Sequence, residues 1–516
     1  MTRLKYDRRD FLRAAGATTA LGTLAGCQQR QEATSQPAST APPNSTDLCF
    51  SNATELAALI RARKVSAREV MAAHLAQINR LNPKINAIVS KLDDSQCLAL
   101  ADAADQRVAR GDALGPLHGL PIAFKDLQPA IGFPYTQGSP IYKNRMPEQD
   151  SVLVERLRTA GAIPIGKTNV PEFGMGSHTY NSVYGTTVNP YDPTKSAGGS
   201  SGGAGAALAS GMLPIADGSD LGGSLRNPGN FNNVIGMRPT VGTVPIVPNA
   251  FPLLGFTVNG PLARTVTDAA YLLSVMAGAD SRDPGCYPSD PSVFRRPLDR
   301  IFSGTRVAWC PDLGGLPLDP RVRTALEAQR KTFESLGCIV EDAYPDLSDA
   351  DSIFLTIRGF SFAASYQPLL AEHRKDLKPD AIWNVEYGLA LSSTDIARAM
   401  MQHGQLLDRV RRFQEKYEFI LCAVNQLPPF EATLDWPKAV NGATMANYLE
   451  WMKSAWWITV TFRPAISVPA GFTPEGLPIG VQIVGRYRDD LSVLQLAYAF
   501  EQATGFGKRR PSIAVG

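Results

Sequence analysis

From Asn52 onward the chain is patterned for alternating helices and strands. "NATELAALIRARK" spaces its apolar residues three and four apart, and "SAREVMAAHLAQINRL" opens with Ser66 and Glu69 in capping-box order, so two helices are predicted. A short apolar run, "NAIVSKL", follows, then the amphipathic "DSQCLALADAADQRVARG". "LPIAFKDL" reads as a strand ending at Lys125-Asp126, and "DSVLVERLRTAGAIPIGKTN" as helix, turn and strand. The alternation persists through the middle of the chain and predicts an α/β protein. No internal repeat appears, and no Pro/Ser-rich stretch after Thr46 is long enough to separate domains, so one domain over 51–516 is expected. Between Asp319 and Phe462 the pattern is richer in helix and in large aromatics, as in "FLTIRGFSFAASYQPLL" and "YLEWMKSAWWITVTF". Such a segment suits a core buttress or a pocket wall, and periodicity does not choose between them.

The first residues follow another pattern. In "MTRLKYDRRDFLRAAGATTALGTLAGC", Arg8-Arg9 precede Phe11-Leu12 and a weakly apolar run, as in a twin-arginine export signal. The run from Ala14 to Ala25 falls short of the roughly 20 apolar residues that cross a bilayer. Its ending, Leu24-Ala25-Gly26-Cys27, resembles a lipobox, which implies cleavage before Cys27 and a lipid on that residue. The polar, Pro/Ser/Thr-rich residues that follow cannot bury enough surface to fold. The expected organisation is a signal over 1–27, a flexible tether over 28–50, and the folded domain after it. Location follows: export to the periplasm, with membrane attachment through the lipid alone, and Gln28 favouring the outer membrane in a Gram-negative host.

Composition narrows the chemistry. Of 516 residues 44% are hydrophobic and 19% charged, which is globular usage, and the net charge of +3 comes without a basic stripe, so no nucleic-acid partner is expected. Seven cysteines form no CxxC pair, and none of the five histidines pairs with another at i, i+4, so no metal site is expected.

Candidate chemistry concentrates in "SAGGSSGGAGAALASGMLPIADGSDLGGSLRNPG", Ser196 to Gly229, with ten glycines and six serines. As a linker it fails, because helix-forming and then strand-forming residues follow at once. As a phosphate loop it lacks a Gly-Lys-Ser/Thr ending. Gly198-Gly199-Ser200-Ser201-Gly202 satisfies the Gly-x-Ser-x-Gly of a nucleophile elbow, but that fold needs a late histidine and the last is His403, within a helical pattern.

A fourth reading fits the whole region. "GGSSGGAGAALASG", "DGSDLGGSLRNP" and "GMRPTVGTVP", with "GPLHGLPIAFKDL" and "GKTNVPEFGMG" upstream and "GPLARTVTDAAYLL" and "PAISVPAGFTPEGLPIGVQIVGR" downstream, resemble the amidase signature family in order and spacing. The resemblance spans Asn52 to Gly505. It implies a central mixed β-sheet covered by helices on both faces, and a Ser-cisSer-Lys triad: Ser224 as nucleophile, Ser200 as bridging serine after a cis peptide bond at Gly199, and Lys125 as base. It further places the oxyanion hole at the amides of Leu221, Gly222, Gly223 and Ser224, and substrate-channel residues at Gly174, Met175 and Gly176.

The implied reaction is hydrolysis of a small-molecule amide through an acyl-enzyme, and it implies no cofactor. A serine needs a base to become nucleophilic, and a lysine must be neutral to serve, so Lys125 has to be buried, with Asp126 turned to the opposite face of the strand. "SDLGGSLRNP" resembles the branch acting on aryl amides, nylon oligomers and carbamates. Carbamate or ester hydrolysis, an amidotransferase-type subunit, and a non-catalytic lipoprotein are the alternatives. Asp220 and Arg226 read as a structural pair, Ser201 as a loop-orienting residue, and His118 and His178 as structural. Lys195 and Ser219 receive no role.

Overall fold

A computed structural model of the chain describes residues 45–515, all within one compact unit, Asn44–Gly516. The export signal, Cys27 and most of the tether lie outside the described residues. The far end of the tether is a correction: Ser45–Phe50 forms a helix, α1, with Leu48 and Cys49 buried. Its apolar Leu-Cys-Phe ending covers helix-forming residues further on, and the Cys49 thiol donates to the Ala73 carbonyl at 3.3 Å.

The next elements follow the predicted pattern. Helix α2 is Ala53–Arg61 and α3 is Ala67–Ile85. Ser66 Oγ caps the Glu69 amide at 3.0 Å while the Glu69 carboxylate returns to the Ser66 amide at 2.7 Å. Strand β1 (Ile88–Val89), helix α4 (Asp94–Arg110), strand β2 (Pro121–Lys125), helix α5 (Val152–Thr159) and strand β3 (Ile163–Thr168) follow. The three strands form a small sheet ordered β1-β3-β2, with β2 parallel to β3.

The Gly/Ser stretch then supplies helix α6 (Gly202–Ala209), strand β4 (Ile215–Asp220) and the short helix α7 (Arg226–Phe231). Strands β5 (Ile235–Arg238) and β6 (Val258–Ala263), helix α8 (Val266–Met276), and strands β7 (Arg306–Trp309) and β8 (Ile339–Asp342) come next. Three helices, α9 (Ala350–His373), α10 (Pro379–Leu389) and α11 (Ser393–Lys416), precede β9 (Phe419–Ala423). Helix α12 (Lys453–Thr459), strands β10 (Ala465–Phe472) and β11 (Pro478–Val484), and helix α13 (Asp490–Thr504) complete the core.

Eight strands make the main sheet, ordered β8-β7-β9-β11-β10-β5-β6-β4. It is mixed: β7 pairs in parallel with β8 and β9, and the other neighbours are antiparallel. Successive residues of one strand enter different apolar clusters. Phe419, Leu421 and Ala423 pack with α8 and α13, whereas Ile420 and Cys422 pack with α9, α11 and α12. Helices therefore cover both faces, and the strands read as near-continuous apolar runs rather than alternating ones. The aromatic segment before Phe462 serves both uses considered for it: Phe354 of α9 stacks on Trp456 of α12 at 4.5 Å and also lines a cavity. All six cysteines among the described residues are free thiols, and no described helix is long and apolar enough to cross a membrane.

Candidate active site

Strand β2 delivers Lys125 against the edge strand β4 of the main sheet. Its backbone amide donates to the Asp217 carboxylate at 3.1 Å, which ties the small sheet to the large one at the site. The ammonium end, fully buried, meets a ring of serine oxygens: Ser200 Oγ at 2.9 Å, Ser201 Oγ at 2.8 Å, Ser219 Oγ at 3.0 Å and the Ser219 carbonyl at 3.2 Å. Ser200 follows a cis peptide bond at Gly199, as the resemblance implied, and Ser201 leads into α6.

Burial lowers the Lys125 pKa to about 7, the charges of Asp217 and Asp220 opposing the shift. Asp217 is itself raised to about 6 by burial, which weakens its hold on a lysine proton. Asp126 lies where strand alternation sends it. It accepts from the Thr136 hydroxyl, and the buried Lys167 ammonium stands 3.7 Å away. A neutral Nζ can donate to the Ser219 carbonyl and accept from a hydroxyl, so the geometry suits an amine that receives a proton from Ser200.

Beyond β4 the chain makes a tight turn through Leu221, Gly222, Gly223 and Ser224 into α7. Burial alone would raise the Asp220 carboxyl, but Arg226 and Arg238, aided by bonds from Arg226 and the Gly223 amide, hold it well below the ordinary range. Arg226 grips it bidentately, at 3.0 Å to each oxygen, and reaches on to the Ala455 carbonyl and Gln482. The pair anticipated from sequence is thus a buried strut under the turn.

One expected oxyanion donor is spent on that strut: the Gly223 amide donates to Asp220 at 2.8 Å. Gly223 takes φ +112°, and a Cβ there would stand 2.6 Å from both Ala455 Cβ and Asn227 Nδ2. Among the described residues the amides of Leu221, Gly222 and Ser224 donate to no protein acceptor.

Ser200, Ser219, Leu221, Gly222 and Ser224 line one cavity of about 190 Å³. Gly174 and Gly176 also line it, but Met175 does not. Between two positive-φ glycines its side chain turns inward, packing with Phe173, Leu377 and Ala381. A second cavity, about 270 Å³, shares Leu221, Arg358, Phe362 and Tyr366 with the first, so the two adjoin. The histidines stay structural: His178 braces Ser196 at 2.7 Å, and His118 binds the Ala104 carbonyl at 3.0 Å. Lys195 pairs with Glu431 near the surface.

Sequence reasoning missed Asp217 and Ser219, and gave Ser201 only a general orienting role. The signal was present in "IADGSD": in a strand otherwise apolar, polar residues two apart share a face. Arg358 carried no such signal, because α9 brings it to the site from far along the chain.

The sequence profile of the Amidase family matches residues 69–494, and that of the twin-arginine translocation signal matches residues 5–25. An acylamidase of Rhodococcus erythropolis is 34% identical over 469 residues, covering 90% of this chain and 98% of that protein. A glutamyl-tRNA(Gln) amidotransferase subunit of Ralstonia nicotianae is also 34% identical, covering 89% and 98%. Among solved structures, a bacterial aryl acylamidase of the amidase signature family superposes with a TM-score of 0.84 at 27% identity, covering 90% of this chain and 99% of that one. A 6-aminohexanoate cyclic dimer hydrolase does so with a TM-score of 0.78 at 28% identity, covering 91% and 100%. The chain belongs to the amidase signature family and carries a twin-arginine export signal. It is a hydrolase of carbon–nitrogen bonds in amides other than peptides.

Proposed function

We propose that the protein is a Ser-cisSer-Lys amidase with Ser224 as nucleophile, preferring anilides and other aryl amides to small aliphatic amides. The observation that carries this reading is the buried Lys125 amine bonded to Ser200 Oγ, Ser200 itself lining the same cavity as Ser224. Neutral Lys125 takes the Ser200 proton as Ser200 takes that of Ser224, and Ser224 Oγ attacks the amide carbon. The resulting oxyanion is held by the amides of Leu221, Gly222 and Ser224, each such donor contributing about 3–4 kcal/mol. The proton returns from Lys125 through Ser200 to the leaving nitrogen, the C–N bond breaks, and an ester to Ser224 remains. Water, activated by the same relay, releases the acid.

Carbamates and esters fit the same steps. The similarity to an amidotransferase subunit does not extend to location, since an exported chain is kept apart from cytosolic tRNA. Periplasmic residence with a lipid on Cys27 completes the proposal, the outer membrane being its place in a Gram-negative host.

Purified protein tested on p-nitroacetanilide and acetamide, with a fluorophosphonate probe for the nucleophile, checks the assignment. Faster anilide hydrolysis and probe labelling abolished by Ser224→Ala are expected. Labelling that persists in Ser224→Ala overturns the nucleophile, and faster acetamide hydrolysis overturns the substrate preference.

A further inference from the structure

Arg358, on α9, is 5% exposed and, among the described residues, is the one charged residue in the wall of the cavity that holds the serines. It also lines the adjoining cavity, so it stands where the two spaces meet. Its hydrogen-bond partners are neutral: the Asn384 side-chain carbonyl and the Tyr448 hydroxyl oxygen. The face of Phe362 lies 4.2 Å from the guanidinium carbon. Among the described residues no carboxylate reaches it at ion-pair distance. Asp380, whose charge it feels, is paired with Lys378 at 3.2 Å. Asp283, across the second cavity, is occupied by the amides of Ile246 and Gly285, both at 2.8 Å.

A buried guanidinium without a counter-ion is costly, and ring and amide contacts offset only a fraction of that cost. Arg226 and Arg238, more deeply buried, share the carboxylate of Asp220, whereas Arg463, as buried as Arg358, is held by the Gln414 and Thr461 oxygens without an ion pair among the described residues; Arg358 differs from all three in bordering the cavity of the serines. What Arg358 lacks is an anion, and the open space beside it is the cavity. Its planar fork matches a carboxylate bidentately, and the aromatic and apolar wall around it strengthens that contact.

We propose that Arg358 binds a carboxylate of the substrate, so that the enzyme acts on anionic amides: half-amides of dicarboxylic acids, or amides whose amine moiety carries an acid group. This rests on the amidase reading above and adds the substrate class. Arg358 binds and orients; it takes no role in proton transfer. Asp283 faces the second cavity and repels an anion there, so the carboxylate stops at the junction.

Two matched pairs of substrates test it. One pair places the charge on the acyl side, the p-nitroanilide of glutaric acid against that of glutaramic acid. The other places it on the amine side, 4-acetamidobenzoate against 4-acetamidobenzamide. The wild-type enzyme is expected to favour the carboxylate member of at least one pair by about tenfold or more in kcat/KM, and the responding pair tells which side is held. Arg358→Gln should lower kcat/KM for that member by about 10- to 100-fold and its neutral twin by much less, so that the ratio within the pair collapses. Arg358→Lys should restore some of the difference.

Equal rates within both wild-type pairs overturn the proposal, as does an Arg358→Gln variant that loses both members of a pair alike. If Arg358→Gln does not fold, the wild-type ratios alone decide. Hydrolysis of the neutral amides and probe labelling at Ser224 report separately on the amidase reading, so either conclusion can fail without the other.

Discussion

At Lys125 a single physical fact, the removal of an amine from water, lowers the pKa, and on the proposed relay this sets the working range of the site. With a pKa of about 7 the side chain is half neutral near physiological pH, whereas in the unfolded chain it titrates near 10.5. With Lys125 as the proposed base, activity should fall as pH drops through about 7, because protonated Lys125 cannot accept from Ser200. Lys125→Met should lose about 10²- to 10⁴-fold in kcat/KM and also lose this acidic limb. A pH–rate profile on p-nitroacetanilide checks both, and a wild-type profile flat down to pH of about 5 would sink the base assignment. Stability carries the same signature with its own sign. Between about 7 and 10.5 the unfolded chain binds one proton more than the folded chain at this residue, so its contribution to stability rises with pH across that window. Lys125, Ser200 and Ser224 were all legible as residues in the sequence. Their company was less so, since Ser219 and Asp217 come into play only when β4 lies beside β2, and no local spacing announces that pairing.

Among the elements, the Gly/Ser stretch is read correctly only as packing. The step from Ser200 to Ser224 is filled by α6 and β4, which return the second serine to the cavity of the first. The glycines here are points of close approach rather than hinges. A Cβ on Gly203 would lie 2.4 Å from the Asn169 amide nitrogen, so α6 can seat against the end of β3 only without one. Gly236 of β5 does the same service for the turn that carries Ser224, where a Cβ would stand 2.1 Å from the Leu225 carbonyl oxygen. Gly236→Ala must push Leu225, and with it Ser224, off its position. We expect a loss of stability of about 1–3 kcal/mol, the usual range for overpacking, together with slower probe labelling of Ser224. Unfolding midpoints and labelling rates measure the two effects, and unchanged labelling would show that the turn does not depend on this contact. From sequence the helix and strand were expected in this order, and the glycines were recognised as punctuation within a fold. Which backbone each glycine admits was not, because the approaching atoms belong to residues distant in the chain.

At the scale of the whole molecule, the catalytic domain and the segment that exports it are separable problems. Among the described residues, the cavity walls and the Lys125 cluster come from 121–384 and 448–456, inside the compact unit. Cys27→Ser should abolish incorporation of radiolabelled palmitate and move the protein to the soluble fraction, while kcat/KM on an anilide stays unchanged. Palmitate labelling that survives this substitution would place the anchor elsewhere. The helices between Asp319 and Phe462 show the reach of composition and its end. Their aromatic content marked them as a buttress or a wall, and the tertiary structure makes them both, with Phe354 stacked on Trp456 on one side and facing the serines on the other.

By itself the sequence determined the α/β class, the family and the export signal, and singled out the three residues proposed here for the proton relay, because each is written in local order and spacing. Only the tertiary structure decided that Lys125 is buried, that the Gly223 amide is held by Asp220, that Met175 turns into the core, and that Arg358 borders the cavity with no carboxylate among the described residues at ion-pair distance. Burial and electrostatic partnership depend on what distant segments bring to a point, and spacing along a chain carries no record of that.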